Sequence, residues 1–221
     1  MGFSEKEQQI IENTVRFVKD KLRGNEAGHD WWHVYRVWKT ADYLAQKENV
    51  SLFTVSLGAL LHDIADAKFN GDDEEAGPAI AREFLTEQKV EKEIIEKVIH
   101  IIRYVSFKNR EEAAGKITPE LAVVQDADRL DAMGAIGIAR TFNYGGFKNR
   151  PLYDPGIKPA VNQDKEAYKK STAPTINHFY EKLLLLKDLM NTETGKTLAK
   201  HRHEYMLDFL DEFFKEWEGG F

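Results

Sequence analysis

The sequence predicts an all-α, single-domain helical bundle, and three observations carry that prediction. Apolar residues recur at three- and four-residue spacing along most of the chain. No stretch alternates apolar and polar side chains as a half-buried strand would. Side chains able to cap a helix stand just ahead of several of the periodic runs. No linker, repeat or low-complexity run divides the 221 residues, so one domain is expected over 1–221. Its core is expected at about 26–140, with C-terminal helices at about 175–217 packed on it.

The first helix is announced by Ser4 with Glu7 three residues on, the pattern of a capping box. Its apolar side is Ile10, Ile11, Val15, Phe17, Val18 and Leu22. Asp30 is placed to cap a second helix with a stripe through Val34, Val37, Trp38, Ala41, Leu44 and Ala45. His33 lies on the rim of that stripe. Ser51 can cap a third segment, Leu52 to Leu61, which is apolar nearly all round and therefore reads as buried. Val90 to Val105 shows a broad apolar face. Thr118-Pro119-Glu120 is an N-cap with proline at the first helical position. The helix it opens is expected to continue through Ala132 to Arg140, where small residues allow close helix approach. Tyr144 to Ala173 breaks the pattern with Gly145-Gly146, Pro151, Pro155 and Pro159, and is expected to be a loop, either a lid or a solvated insertion. Two more helices are expected, about Thr175 to Met190 and Glu193 to Trp217.

Composition narrows the chemistry. There are no cysteines, which excludes disulfides, zinc-thiolate sites and cysteine nucleophiles. A formal net charge of −6 argues against a general polyanion-binding surface, so no stable nucleic-acid binding is expected. A few local cations could still hold one anionic small molecule. The polar N-terminus lacks a secretory apolar core, and the longest apolar run is too short to span a bilayer. The expectation is a cytoplasmic protein without membrane association, with room left for a homodimer.

The pair His62-Asp63 closes the most apolar stretch of the chain. An imidazole and a carboxylate at the end of a buried helix are costly unless partnered, and a metal ion satisfies both together. His33 lies upstream, and Asp126, Asp128 and Asp131 follow the apolar run Val123-Val124 downstream. A capped core histidine would explain one of these places but not all three.

In this order of His, His-Asp and Asp, the chain resembles the HD-domain superfamily of metal-dependent phosphohydrolases. The resemblance implies that His33, His62, Asp63 and Asp128 are the ligands of one divalent metal ion. Asp128 is preferred for its Ala-Asp-Arg-Leu setting, with Asp126 as the competitor. Two imidazoles and two carboxylates suit Mn²⁺ first, with Fe²⁺, Co²⁺, Ni²⁺, Zn²⁺ or Mg²⁺ as alternatives. In the nucleotidase branch of the family a carboxylate three residues after the His-Asp pair handles the attacking water, which implies a catalytic role for Asp66. Arg36 and Lys68 are candidate phosphate contacts. His100, His178, His201 and His203 read as structural, and Trp31, Trp32 and Trp38 as core and pocket wall.

The resemblance extends to Gly28-His29-Asp30, Leu60 to Ile64, Asp126 to Gly137, and the segment from Lys182 to Lys196. These look like a bacterial subgroup of stand-alone HD hydrolases that includes a nucleoside triphosphate pyrophosphohydrolase. The implied substrate is a small nucleotide, cleaved to the monophosphate and pyrophosphate. The alternatives are a nucleotide monophosphatase, a cyclic-nucleotide or alarmone hydrolase, and a metal-stabilised nucleotide sensor without turnover.

Overall fold

The computed structural model describes residues 2–24, 30–64, 75–106, 115–160 and 172–220. Among them the regular structure is entirely helical. The α-helices are α1 (Glu5–Lys21), α2 (Trp31–Glu48), α3 (Leu52–Leu61), α4 (Ala76–Glu87), α5 (Lys92–Tyr104), α6 (Pro119–Asp131), α7 (Gly134–Phe147), α8 (Asn177–Glu181) and α9 (Glu193–Trp217). A 3₁₀ helix, Leu183–Leu189, separates α8 from α9. The all-α expectation holds. None of these helices is long and apolar enough to cross a membrane. The chain divides into two compact units, Met1–Asp128 and Arg129–Phe221.

In the first unit, the starts of α1, α2, α3 and α6 follow the caps in the sequence. Ser4 and Glu7 form the reciprocal capping box of α1. Asp30 accepts from the His33 backbone N–H at 2.9 Å, and Ser51 accepts from Thr54 N–H. Thr118 Oγ1 accepts from Leu121 N–H at 3.2 Å and Pro119 opens α6. Helix α3 is the buried centre, with Val55, Leu57, Leu60 and Leu61 shut off from solvent. It packs against α1, α2 and α5. Gly58 is what lets α5 lie close: a Cβ there would stand 2.7 Å from Ile101 Cδ1. Phe17 of α1 stacks on Phe84 of α4 with centroids 4.2 Å apart, closing one edge of this core.

In the second unit, α7, α8 and α9 share an aromatic core through Phe142, Phe179 and Phe209. Thr192 caps α9 by accepting from Gly195 N–H at 3.0 Å. Arg129 donates to the Leu189 carbonyl and Arg202 to the Leu130 carbonyl, each at 2.5 Å. Arg140 pairs with the buried Asp131 carboxylate. Arg129 and Arg202 thus add a side-chain donor to carbonyls at the ends of the 3₁₀ helix and α6.

Three expectations need correction. The helix of Asp128 does not run on to Arg140: α6 stops at Asp131, Met133 is extended, and Gly134 takes a φ of 67° that breaks the helix. The loop expected from Tyr144 begins later, because α7 continues to Phe147; residues 161–171 of that loop lie outside the described residues. Thr175 to Met190 is not one helix. Lys182, at φ −145° and ψ −56°, interrupts it, and a 3₁₀ segment follows.

Candidate metal centre

Three elements of the first unit bring the site together. Helix α2 supplies His33 from its first turn, where the Asp30 cap fixes the helix start. The turn after α3 supplies His62 and Asp63. Helix α6 supplies Asp128 one turn before its end. His33 is buried, not on the rim as its position in the apolar stripe suggested. It faces inward because its ring meets His62, with centroids 5.3 Å apart and planes 67° apart.

The distances define one cluster. His33 Nε2 and His62 Nε2 stand 3.3 Å apart. Asp128 Oδ1 is 3.5 Å from His33 Nε2 and 4.0 Å from His62 Nε2. Asp63 Oδ2 lies 3.8 Å from His33 Nε2. One ligand atom each from His33, His62 and Asp128 falls within 4.8 Å of the others. Asp63 and Asp126 both stand outside this three-residue grouping, Asp63 beside His33 and Asp126 fully buried. Two residues along a helix turn a side chain by roughly 200°, so Asp126 and Asp128 face different ways.

The tautomer of His62 is set locally. Its Nδ1 lies 2.8 Å from the Ala59 carbonyl oxygen, so Nδ1–H donates there and Nε2 presents a lone pair to the cluster. An imidazole lone pair with two nearby carboxylates makes a patch of donors that needs a cation. Asp63 sharpens the need, since a carboxylate just beyond the end of α3 faces the negative end of the helix dipole. The spacing suits a shared ion. At metal–nitrogen lengths of about 2.0–2.1 Å, two ligands at right to tetrahedral angles would be roughly 2.8–3.4 Å apart, and the two Nε2 atoms are 3.3 Å apart. The donor set therefore fits a divalent metal. The side chain of His33 is 2% exposed and that of Asp128 29%, so the cluster opens toward solvent on the Asp128 side.

The remaining candidates are distributed as follows. Arg36 is half-buried, one turn after His33 on α2. Asp66, Lys68 and His29 lie outside the described residues. His100 is satisfied by the Lys116 carbonyl at 2.8 Å, in keeping with a structural role. Burial drives the pKa of His178 down to about 3, which keeps it a neutral structural ring. Trp32 is no part of the core: it is 61% exposed, edge-on to Tyr35. Sequence reasoning passed over Gln125, which is buried and donates to the Tyr104 carbonyl at 2.7 Å. The signal was present, as an amide directly after the apolar Leu121 to Val124 and one turn before Asp128.

Comparison with known proteins identifies the fold around this site. The HD domain family model matches residues 31–133, a span containing all four cluster residues. YpgQ of Bacillus subtilis is 39% identical over 215 residues, covering 97% of both chains. The crystal structure of an HD-superfamily hydrolase from Bacillus thuringiensis superposes with a TM-score of 0.77 at 45% identity, covering 96% of this chain and 98% of that one. The structure of YpgQ in complex with ADP gives a TM-score of 0.74 at 34% identity, with 96% of each chain covered.

Proposed function

The chain belongs to the HD-domain family, and from that membership we propose that it is a divalent-metal-dependent phosphohydrolase that cleaves nucleoside or deoxynucleoside triphosphates to the monophosphate and pyrophosphate. The observation that carries the reading is the convergence of His33, His62 and Asp128, with Asp63 beside His33, in a cluster of donors that is buried at His33 and opens to solvent at Asp128. The ADP bound by YpgQ supports a nucleotide as ligand.

His33, His62, Asp63 and Asp128 hold one divalent ion, Mn²⁺ by preference for a mixed imidazole–carboxylate set. When bound, the ion supplies Lewis-acid polarisation of a phosphate oxygen and makes water acidic enough to serve as nucleophile near neutral pH. The protein's own groups do the rest. The Ala59 carbonyl holds the His62 ring in its coordinating tautomer. Arg36 and Lys68 bind phosphate oxygens and line up the triphosphate. Asp66 accepts the proton of the attacking water. The water oxygen bonds to the α-phosphorus, the bond from that phosphorus to the α–β bridging oxygen breaks, and pyrophosphate leaves with the electron pair.

The test is a panel of nucleoside mono-, di- and triphosphates with Mn²⁺ in ¹⁸O-labelled water, resolving pyrophosphate from orthophosphate. Pyrophosphate, with the label in the monophosphate, is the expected result. Orthophosphate released from a triphosphate or a monophosphate would replace this reading with a phosphatase. Nucleotide binding without turnover would replace it with a sensor.

A further inference from the structure

We propose that Gln125 is a positioning residue for the metal centre: by pinning the end of α5 to α6 it fixes where Asp128 stands relative to His33 and His62. The inference rests on the metal-centre reading above and adds a residue to it.

The histidines and Asp128 reach the cluster by different routes. His62 follows directly from α3, and α3 is keyed to α5 where Ile101 fits over Gly58. Asp128 rides on α6. What ties α6 to α5 therefore sets the distance between the two halves of the cluster. Three ties are partly exposed: Lys97 to Glu120 at 3.5 Å, His100 to the Lys116 carbonyl at 2.8 Å, and Lys116 Nζ to the Tyr104 hydroxyl at 2.9 Å. The fourth is made by a buried donor. Gln125 is 1% exposed, and its Nε2 donates at 2.7 Å to the carbonyl of Tyr104, the last residue of α5. That carbonyl belongs to the final turn, where the helix supplies no partner. An amide that answers it from the next helix is held in one geometry by burial. Gln125 is also one turn before Asp128, so a shift of its anchor passes to the carboxylate through a single turn of α6.

The experiment titrates Mn²⁺ into the full chain, wild type and variants, by calorimetry and by electron paramagnetic resonance of the bound ion. Gln125→Met keeps the shape and removes the donor, and Gln125→Glu replaces it with an acceptor facing the Tyr104 carbonyl. Both are expected to weaken Mn²⁺ binding by about 10–100-fold, Glu more than Met, and to broaden the resonance of the bound ion. Ser56→Ala is the control. It removes a part-buried hydrogen bond between α3 and α2 at Asp42, nine residues along α2 from His33, and should lower Tm while leaving Mn²⁺ affinity unchanged. Wild-type affinity in both Gln125 variants would overturn the proposal and leave the metal centre standing. So would loss of affinity in Ser56→Ala in proportion to its loss of Tm, since that would make the effect one of general stability. A wild-type chain that fails to bind Mn²⁺ would overturn the metal centre first and this proposal with it.

Discussion

Asp42 offers a test of the core that is independent of the metal centre. It projects from α2 toward α3, where Ser56 Oγ donates to its Oδ1 at 2.5 Å. Burial raises its pKa from 3.8 to about 6, while the Ser56 hydrogen bond, the Lys39 charge and the Trp38 indole each pull it back down. The sign follows from proton counts. Below about pH 4 both folded and unfolded chains carry the proton on this residue. As pH rises, the unfolded chain loses its proton first, so the folded state holds more protons and stability falls until the folded carboxyl has also ionised. At ~1.4 kcal/mol per pH unit, that rise corresponds to roughly 3 kcal/mol of stability lost between about pH 4 and pH 6.5. Asp42→Asn retains an oxygen for Ser56 and cannot ionise. Urea unfolding across pH 3.5 to 8 should show the variant close to wild type at the acid end and more stable by roughly 2–3 kcal/mol at pH 7. Its pH–rate profile for triphosphate hydrolysis should overlay that of wild type, because Asp42 lies nine residues, about 13 Å of helix, from His33. A variant with the same pH dependence of stability as wild type would refute the claim that this carboxylate ionises at a cost.

Removing a proposed ligand, as in His62→Ala or Asp128→Asn, should abolish the stabilisation that Mn²⁺ confers, worth ~2.7 kcal/mol for wild type at a hundred times Kd; an undiminished Mn²⁺-induced rise in Tm would remove that residue from the ligand set. Asp66→Asn should bind Mn²⁺ normally and lose roughly a hundredfold or more in kcat; metal loss would make Asp66 a ligand, and an unchanged rate a bystander. Gly58→Ala gains about 1 kcal/mol of helix propensity but forces a methyl against Ile101, and overpacking a closed core costs about 1–3 kcal/mol. A net loss of up to ~2 kcal/mol in urea unfolding is expected, and a stabilised variant would mean that α3 and α5 do not approach as closely as described.

What was legible in the sequence was local. Ser4, Asp30, Ser51 and Thr118 each accept a backbone N–H within the turn they begin, so a short window of sequence contains the whole interaction. What was missed depended on partners elsewhere. Gly134 breaks the path from α6 to α7 at a place where small residues read as continued helix, and its missing Cβ is space occupied by Arg202, 68 positions along the chain. The helix Ala76–Glu87 starts without a side-chain cap, so it sent no start signal. The strongly apolar Leu183 to Leu186 looked helical, but the backbone at Lys182 leaves the helical region and the run winds as 3₁₀. Asp42 and Gln125 are polar groups whose partners, Ser56 and the Tyr104 carbonyl, lie on other helices, and periodicity carries no information about such pairs.

The same division runs through the metal centre. His62 is oriented by the Ala59 carbonyl three residues before it, and His33 by a cap three residues before it. Each histidine thus carries the instructions for its own placement in a single helical turn, which is why a short pattern suffices to find it. Asp128 is different. Its helix start is local, but the lie of α6 against α5 is set by ties from Glu120 and Gln125 and from Lys116 just before the helix. The sequence could therefore name an acid near this point while leaving Asp126 and Asp128 in competition, because the choice between them is the rotation of α6 about its own axis. Two residues of helix amount to roughly 200° of that rotation. An amide buried one turn away and bonded to a neighbouring helix is the kind of group that fixes it. Changes at the Tyr104 end of α5, away from the Ile101–Gly58 contact, should then act on metal binding through Asp128 and leave the two histidines where their own turns hold them.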